Sequence, residues 1–441
     1  MVTRSIAAAW QPNGAPTAPM QARISAARLA QREWANVPLA NRLRVVRQIR
    51  DAIATQFNNL CEFFPDELAR EPVQRLTAEI IPLADAARFL EREAKQILGA
   101  RRLSTKSRPL WMNGANVEVR RDPFGVVLIV GPANYPLFIP GVQTLQALVA
   151  GNAVVLKPGR ACAALANAFR LLAVRAGVPP DLFLVLNEDI ENVRAAINAG
   201  VDKVVATGSV ETGRAIYRQS ADNLVPAVLE LSGADPVFVL PGADLERAVN
   251  AIVFGCRWNN GNTCIAPRRI FVTETLADEL EQRLRERAVA RFHLSITRVG
   301  SDDEALHLAA TSRFALGASV FGEQLLAQAF AARVHAGIVT VNDIIAPTAD
   351  PRVPFGGRGW SGFGTTRGAE GLLEFTSPKA IVTQTARRLR HIEPLPNNAG
   401  EIFAAYLAAI HQASWTGRLS GWRRFLSALL HGNHMTDQRD L

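Results

Sequence analysis

The spacing of hydrophobic positions changes character along the chain. From Ala22 to about Ala100, apolar residues recur at helical steps. Leu43, Val46, Ile49, Ile53, Phe57 and Leu60 make one stripe that predicts a buried helix face. Asp122-Pro123-Phe124-Gly125 breaks this pattern, and short β-branched runs then alternate with helical stretches. Strands are predicted at 126–130, 153–156, 182–186, 203–206, 227–231, 237–240, 269–272, 319–321 and 338–341. Helices are predicted at 142–150, 161–176, 190–199, from Glu211, and at 276–287. This alternation predicts an α/β protein with a parallel sheet covered on both faces. Residues 354–364, Pro-Phe-Gly-Gly-Arg-Gly-Trp-Ser-Gly-Phe-Gly, hold too many glycines for regular structure and predict a tight loop of close backbone approach.

The two ends read differently. Residues 1–20 are rich in Ala, Pro and Gly and read as loose. Residues 391–441 form an Arg-rich tail. Within it Leu419, Trp422, Phe425, Leu426, Leu429 and Leu430 share one helical face, with Arg418, Arg423 and Arg424 beside them. Two readings stay open: a basic amphipathic segment lying on an anionic membrane, or a helix docked on the body or on a neighbouring subunit. Gly421 weakens an isolated helix there by about 1 kcal/mol relative to Ala.

At 48% hydrophobic and 20% charged residues, the 441-residue chain has the composition of a packed protein of two or three domains. The net charge of +9 raises the question of a nucleic-acid partner. The basic residues are almost all arginines scattered among acids, and no zinc-finger spacing or dense basic block occurs, so a nucleic-acid partner is not expected. Cys61, Cys162, Cys256 and Cys264 have no spacing suited to a disulfide framework or zinc site. No metal is expected, and free thiols point to a reducing compartment. No apolar run reaches the length of a membrane span, and no secretory signal is read at the N-terminus. The expected location is cytoplasmic.

Several strand ends carry chemistry. Gly131-Pro132-Ala133-Asn134 follows a buried strand, where an Asn amide either donates to a developing oxyanion or merely turns the chain. Lys157-Pro158-Gly159-Arg160 ends the next strand, its lysine being either a ligand contact or a surface residue. Thr207-Gly208-Ser209-Val210-Glu211-Thr212-Gly213 leads into a helix whose free N–H groups suit a pyrophosphate, although it also reads as a simple turn. Glu230 ends an apolar strand; a buried carboxyl there acts as a general base or is a satisfied structural group. Cys264, in Trp-Asn-Asn-Gly-Asn-Thr-Cys, is a core thiol or an exposed, reactive one; its polar turn favours the second.

Taken in order, Pro-x-Asn, Lys-Pro, Thr-Gly-Ser-x-x-x-Gly, Glu-Leu-x-Gly, Gly-x-x-Cys and Pro-Phe-Gly-Gly-x-x-x-Ser-Gly-x-Gly resemble the aldehyde dehydrogenase superfamily from about Ala22 to Thr383. Gly359, where many members carry Lys, is closer to the class 3 branch. The resemblance implies a Rossmann-like parallel-sheet cofactor domain over 1–230, with 104–121 as oligomerisation strands. It also implies a second α/β catalytic domain over 231–376, an oligomerisation strand over 377–390, and a basic C-terminal tail over 391–441. The implied reaction is oxidation of an aldehyde to a carboxylic acid through a cysteine thiohemiacetal and thioester, with hydride transfer to NAD or NADP. Cys264 would attack, Asn134 and the Cys264 backbone N–H would hold the oxyanion, and Glu230 would activate water. Pro132, Lys157, Arg160, Gly208, Ser209 and Gly213 would line the cofactor site. A homodimer or homotetramer acting on a small-molecule aldehyde follows, with peripheral membrane contact through the tail as a further option.

Three departures qualify this. The family's Glu-x-Phe-Gly-Pro motif, whose carboxylate holds the nicotinamide ribose, does not occur. The chain rejoins the family pattern near Ser295, so the catalytic domain looks shortened near 288–294 by one clean excision. Arg160 stands where NAD-preferring members often carry an acid, and an arginine suits a 2′-phosphate. Asn187-Glu188-Asp189-Ile190 replaces the usual glycines near the adenine. The loss of the ribose-holding motif opens an alternative: a non-catalytic or weakly active homologue serving as an oligomerising or scaffold subunit.

Overall fold

The computed structural model describes residues 19–68, 70–106, 108–287, 294–387 and 389–431. The N-terminal stretch expected to be loose lies, but for its last two residues, outside the described residues; so does the shortened junction, but for Leu294. The chain divides into two compact units, 1–101 with 118–381, and 102–117 with 382–441.

The first unit opens with helices α1 (Met20–Asn36), α2 (Leu39–Cys61), α3 (Pro72–Arg75) and α4 (Ile81–Ile97), a π-helical turn over Leu76–Ile80 leading into α4. In α2 the predicted stripe is buried at Val46, Ile49, Ile53 and Leu60; Leu43 and Phe57 are half-buried. Strands β1 (Arg101–Arg102) and β2 (Ala115–Pro123) follow. Of the stretch expected as oligomerisation strand, only the part from Ala115 is extended; a 3-10 turn occupies Leu110–Met112. Next come β3 (Val126–Val130), α5 (Phe138–Ala150), β4 (Ala153–Lys157), α6 (Ala163–Arg175), β5 (Phe183–Val185), α7 (Glu191–Asn198), β6 (Lys203–Gly208), α8 (Val210–Asp222) and β7 (Ala227–Leu231). Every residue of β3 is buried, as expected for a parallel strand covered on both faces. Helix α5 is buried almost all round. It ends at Gly151, whose φ of 101° gives the left-handed cap that a Cβ would disfavour.

The second half of this unit repeats the architecture with β8 (Asp235–Val239), α9 (Leu245–Arg257), β9 (Pro267–Thr273), α10 (Glu274–Glu286), β10 (Ser295–Val299), α11 (Asp302–Ala310), β11 (Phe314–Ala315), β12 (Gly317–Phe321), α12 (Gln324–Ala331) and β13 (Ile338–Val341). The glycine-rich loop is not wholly irregular, contrary to expectation. It holds the two-residue strands β14 (Arg358–Gly359) and β15 (Gly362–Phe363). Gly362 pairs antiparallel with Glu230, at a φ of 99° and so close to β7 that a Cβ would strike the Leu229 carbonyl oxygen. Helix α13 (Gly368–Leu373) and strand β16 (Thr376–Gln384) complete the sequence.

Two large sheets result. The first runs β15-β7-β6-β3-β4-β5, all parallel except β15. The second runs β10-β9-β8-β12-β13, all parallel. Strand order reverses at β3 in the first and at β8 in the second, and ligands of such sheets bind beyond the carboxyl ends at these points. A three-stranded sheet has the order β1-β2-β16.

In the second unit, α14 (Ala399–His411) and α15 (Trp415–His431) form an antiparallel hairpin. Gly421 lies against the backbone of Ala408 and Ala409, closer than any side chain would allow. The predicted face splits: Phe425 turns toward Tyr406 with rings 5.9 Å apart, while Leu426, Leu429 and Leu430 are exposed. Among the described residues, no helix is long and apolar enough to cross a membrane. All four cysteines are free.

Candidate active site

Cys264 follows the turn Trp258–Gly261, which links α9 to β9. Asn259, Asn260 and Gly261 take φ values of 51°, 52° and 76°, three successive left-handed residues. Asn tolerates this region better than most side chains, and here its amide is also used. Arg70 Nε donates to Asn259 Oδ1 (2.9 Å), and Asn259 Nδ2 donates to the Asn134 carbonyl (3.1 Å). Arg268 Nη2 donates to the Gly261 carbonyl (2.6 Å).

Asn134 lies beyond β3. Its Nδ2 donates to the Asn262 carbonyl at 2.6 Å, tying the β3 loop to the loop of Cys264. An Asn amide has two N–H donors, and this bond uses one of them; Asn134 itself is not among the residues that line the cavity of Cys264. The neighbouring Tyr135 and Thr263 hydroxyls share a hydrogen bond of 2.7 Å, and burial pushes the tyrosine up to about 12.

Beneath both loops lies an ion pair that the sequence gave no reason to suspect. The Arg70 and Glu79 side chains are 1% and 0% exposed. Arg70 bonds to Glu79 Oε1 and to the Asn134 carbonyl. Glu79 Oε2 accepts the backbone N–H groups of Leu137 (3.1 Å) and Phe138 (2.6 Å) at the start of α5. Burial pushes the Glu79 carboxyl up, against the pull of Arg70 and these donors.

Glu230 is buried in β7 and accepts a hydrogen bond from the Thr366 hydroxyl (3.0 Å). Burial raises its carboxyl above the usual range, while the neighbouring Arg367 guanidinium and Thr366 hold it back. Cys264, Glu230, Thr366 and Arg367 line one cavity of about 460 Å³. Its other walls include Phe138, Val142, Phe254, Trp258, Ile345 and Phe355. Cys264 is half-buried, neither the exposed thiol that its polar turn favours nor a core residue, and the cavity that it lines is largely apolar. Burial, followed by Glu230 and Asp235, pushes the thiol well up; Arg367 and the Ile265 backbone pull it down. Cys162 and Cys256 are pushed up by burial to about 12 and about 11.

The cofactor candidates lie at the ends of β3, β4 and β6. Lys157 is half-buried at the end of β4, and burial lowers its pKa. Ser209 caps α8 by accepting the Thr212 N–H (3.2 Å). A Cβ at Gly208 would meet nothing closer than 4.0 Å, so open space faces the turn into α8. A Cβ at Gly213 would strike Leu231, so this glycine serves the packing of α8 on β7. A Cβ at Gly159 would strike Pro132, so the β3 and β4 loops are in contact. These residues fit the adenosine and pyrophosphate end of a dinucleotide. Arg160 is exposed, and the Glu188 carboxylate takes the N–H groups of Ala161 (2.6 Å) and Ala163 (2.9 Å) at the start of α6. The unexpected Glu188 is thus a helix cap. Among the described residues, no cluster of three or more His, Cys, Asp or Glu could hold a metal ion.

Sequence reasoning missed Arg70, Glu79, Thr366 and Arg367. Only Arg367 had a local signal, as a large cation between Thr366 and Gly368 just beyond the glycine-rich loop.

The chain is similar to known proteins over most of its length. A 3,6-anhydro-alpha-L-galactose dehydrogenase of Streptomyces coelicolor is 35% identical over 280 residues, 63% of this chain and 55% of that protein. A 4,4'-diapolycopene aldehyde oxidase of Methylomonas sp is 26% identical over 463 aligned positions, covering 89% of this chain and 87% of that protein. That alignment is longer than the chain itself, so the relative carries residues for which this chain has none. The structure of an NADP-dependent glyceraldehyde-3-phosphate dehydrogenase from Bacillus halodurans C-125, complexed with NADP, shares the fold. Its TM-score is 0.77 at 24% identity, covering 83% of this chain and 91% of that one. The description "Aldehyde dehydrogenase family" matches residues 8–291 and 294–381. The chain belongs to the aldehyde dehydrogenase family, whose members oxidise aldehydes with NAD or NADP.

Proposed function

We propose that this chain oxidises an apolar aldehyde to its carboxylic acid, with Cys264 as nucleophile, Asn134 as oxyanion donor and Glu230 as base. The observation that carries the reading is the cavity: Cys264 and Glu230 share it, and most of its remaining wall is aliphatic or aromatic. Such a wall rewards a hydrocarbon substrate, and its polar side chains, among them Gln143, Thr77 and Thr348, are a minority of the lining.

Cys264 Sγ bonds to the aldehyde carbon, and the carbonyl oxygen, gaining negative charge, takes the free N–H of Asn134. Lys157, Gly208 and Ser209 would hold the adenosine and pyrophosphate end of NAD or NADP, which when bound would supply a hydride acceptor for the thiohemiacetal on Cys264. Glu230 then takes a proton from water, the oxygen attacks the thioester carbon, and the C–S bond breaks to free the acid and Cys264.

Turnover is slow in this reading. The sequence has no Glu-x-Phe-Gly-Pro carboxylate to hold the nicotinamide ribose, and hydride transfer needs reacting atoms about 3–3.5 Å apart. A binding titration with both cofactors, paired with steady-state kinetics on one preparation, tests this. Ordinary binding with low turnover of a long-chain aldehyde supports the reading. The Methylomonas relative's name makes 4,4'-diapolycopene aldehyde the second compound to assay. Failure to bind either cofactor would favour the scaffold-subunit alternative.

We also propose that the α14–α15 hairpin rests on an anionic lipid surface. Trp415, Leu419, Leu426, Leu429 and Leu430 are exposed along α15, with Arg418, Arg423 and Arg424 among them. Arginine next to exposed apolar rings and chains suits lipid headgroups over acyl chains. Flotation with phosphatidylserine-containing vesicles should carry the full chain and lose it on Leu426→Glu/Leu430→Glu. Equal flotation of both, or self-association without flotation, overturns the proposal.

A further inference from the structure

The cavity contains one cation that the proposed mechanism does not use. Arg367 follows the glycine-rich loop and lines the cavity with Cys264 and Glu230. It is held from several sides. Its Nη1 donates to the Thr348 carbonyl. Its guanidinium lies 4.3 Å from the Phe355 ring centroid and 5.6 Å from that of Phe138. Its backbone is at φ 61°, ψ 171°, a region that is nearly restricted to glycine. An arginine kept there carries backbone strain, and such strain concentrates at functional positions. The preceding residue, Thr366, holds Glu230 by its hydroxyl. A guanidinium cannot shed its proton, so its charge persists in this apolar setting.

We infer that Arg367 is the electrostatic partner of the nucleophile, stabilising negative charge on Cys264 Sγ as it attacks and on the carboxylate product as it forms. This rests on the reading of Cys264 as nucleophile. When the Sγ proton leaves to water, negative charge develops on sulfur in the cavity that it shares with Glu230. Arg367 lines that cavity with both groups, so its fixed positive charge offsets the charge that develops on sulfur. The groups acting on Cys264 are Glu230 and Asp235, which raise its pKa, and Arg367, which lowers it. Tyr135 stands next to the thiol with Arg70 and Glu79 behind it, and Arg268 and Arg269 face Asp235.

Alkylation of Cys264 in the full-length protein tests this without any aldehyde turnover. Wild-type protein should react with anionic iodoacetate, relative to neutral iodoacetamide, several-fold faster than free cysteine does. In Arg367→Met this preference should fall about tenfold, and the midpoint of the pH dependence of iodoacetamide labelling should rise by about one unit. Arg367→Lys should keep most of the preference. Equal slowing with both reagents and an unmoved midpoint would show a purely structural role and overturn the inference. So would a wild-type iodoacetate preference no greater than that of free cysteine, a result that needs no variant to fold. Cys264 that labels readily but insensitively to Arg367 would refute this inference alone. Failure of Cys264 to label ahead of the other cysteines would count against the nucleophile itself.

Discussion

Replacing Arg70 by methionine removes the cation from a carboxylate that has no access to water. Glu79 would keep only the Leu137 and Phe138 N–H groups, and the Asn134 carbonyl and Asn259 Oδ1 would each lose a charged donor. Breaking a buried pair from one side costs about 3–5 kcal/mol, because the remaining charge stays buried. The double variant Arg70→Met/Glu79→Gln leaves no orphaned charge, and a glutamine oxygen still accepts the two N–H groups of α5. The double variant should therefore be more stable than the sum of the singles predicts by about 1–3 kcal/mol. Activity should respond separately. Arg70 fixes the backbone that carries Asn134, and a misplacement of about 1 Å in such a group can cost about 100-fold in rate. The assay is urea denaturation followed by tryptophan fluorescence, with kcat measured on the folded fraction. Strict additivity of the stability changes, together with an unchanged kcat in Arg70→Met, would refute both parts of the reasoning.

Other consequences follow from particular side chains. Asp235 is buried, neither carboxyl oxygen has a hydrogen bond of good geometry, and burial holds its pKa well above the usual carboxylate range. The folded chain thus binds that proton more tightly than the unfolded chain, so stability falls as pH rises from the ordinary aspartate range toward the raised value. Unfolding measured across this range should show the slope, and Asp235→Asn should flatten it; an identical slope in both proteins would be contrary to this. Glu188 places a negative charge at the start of α6, beside Lys157 and Arg160. Glu188→Gln should raise affinity for NADP relative to NAD by roughly two- to fivefold, measured by calorimetry; an unchanged ratio would place the 2′-phosphate elsewhere. Strand β16 ends the three-stranded sheet with mostly exposed residues, an open edge of the kind that pairs with a second chain. Light scattering should report a dimer or tetramer, and a monomer at micromolar concentration would contradict that assembly.

The sheets were legible because a parallel strand buried on both faces is written as a continuous apolar run. Thus 126–130 and 227–231 fall on β3 and β7 without adjustment. Helix α5 starts earlier than expected, at Phe138, because Glu79 caps it from a distant helix rather than a local Ser or Asp. β10 carries Arg and Thr between its apolar residues and lies at a sheet edge, so it gave little signal. Asn134, Glu230 and Cys264 were readable as candidates because each sits at a strand end or in a tight turn. Their supports were not. Arg70 and Asn259 are 189 positions apart, as Thr366 and Glu230 are 136 apart, and only folding brings either pair together. The environment of Cys264 was half legible for the same reason: its neighbours in sequence are polar, and the half-buried residue opens on a cavity that is largely apolar.

The central claim, that Cys264 carries the aldehyde carbon through oxidation, has a direct test in Glu230→Gln. This variant keeps the nucleophile and the oxyanion donor but lacks the base for hydrolysis, so the acyl group should remain on the enzyme. Incubation with a long-chain aldehyde and NAD or NADP, followed by peptide mass spectrometry at acid pH, should find an acyl thioester on Cys264, with Cys61, Cys162 and Cys256 unmodified. An acyl group on another cysteine, or none on Cys264 in a variant that binds cofactor, would contradict the account.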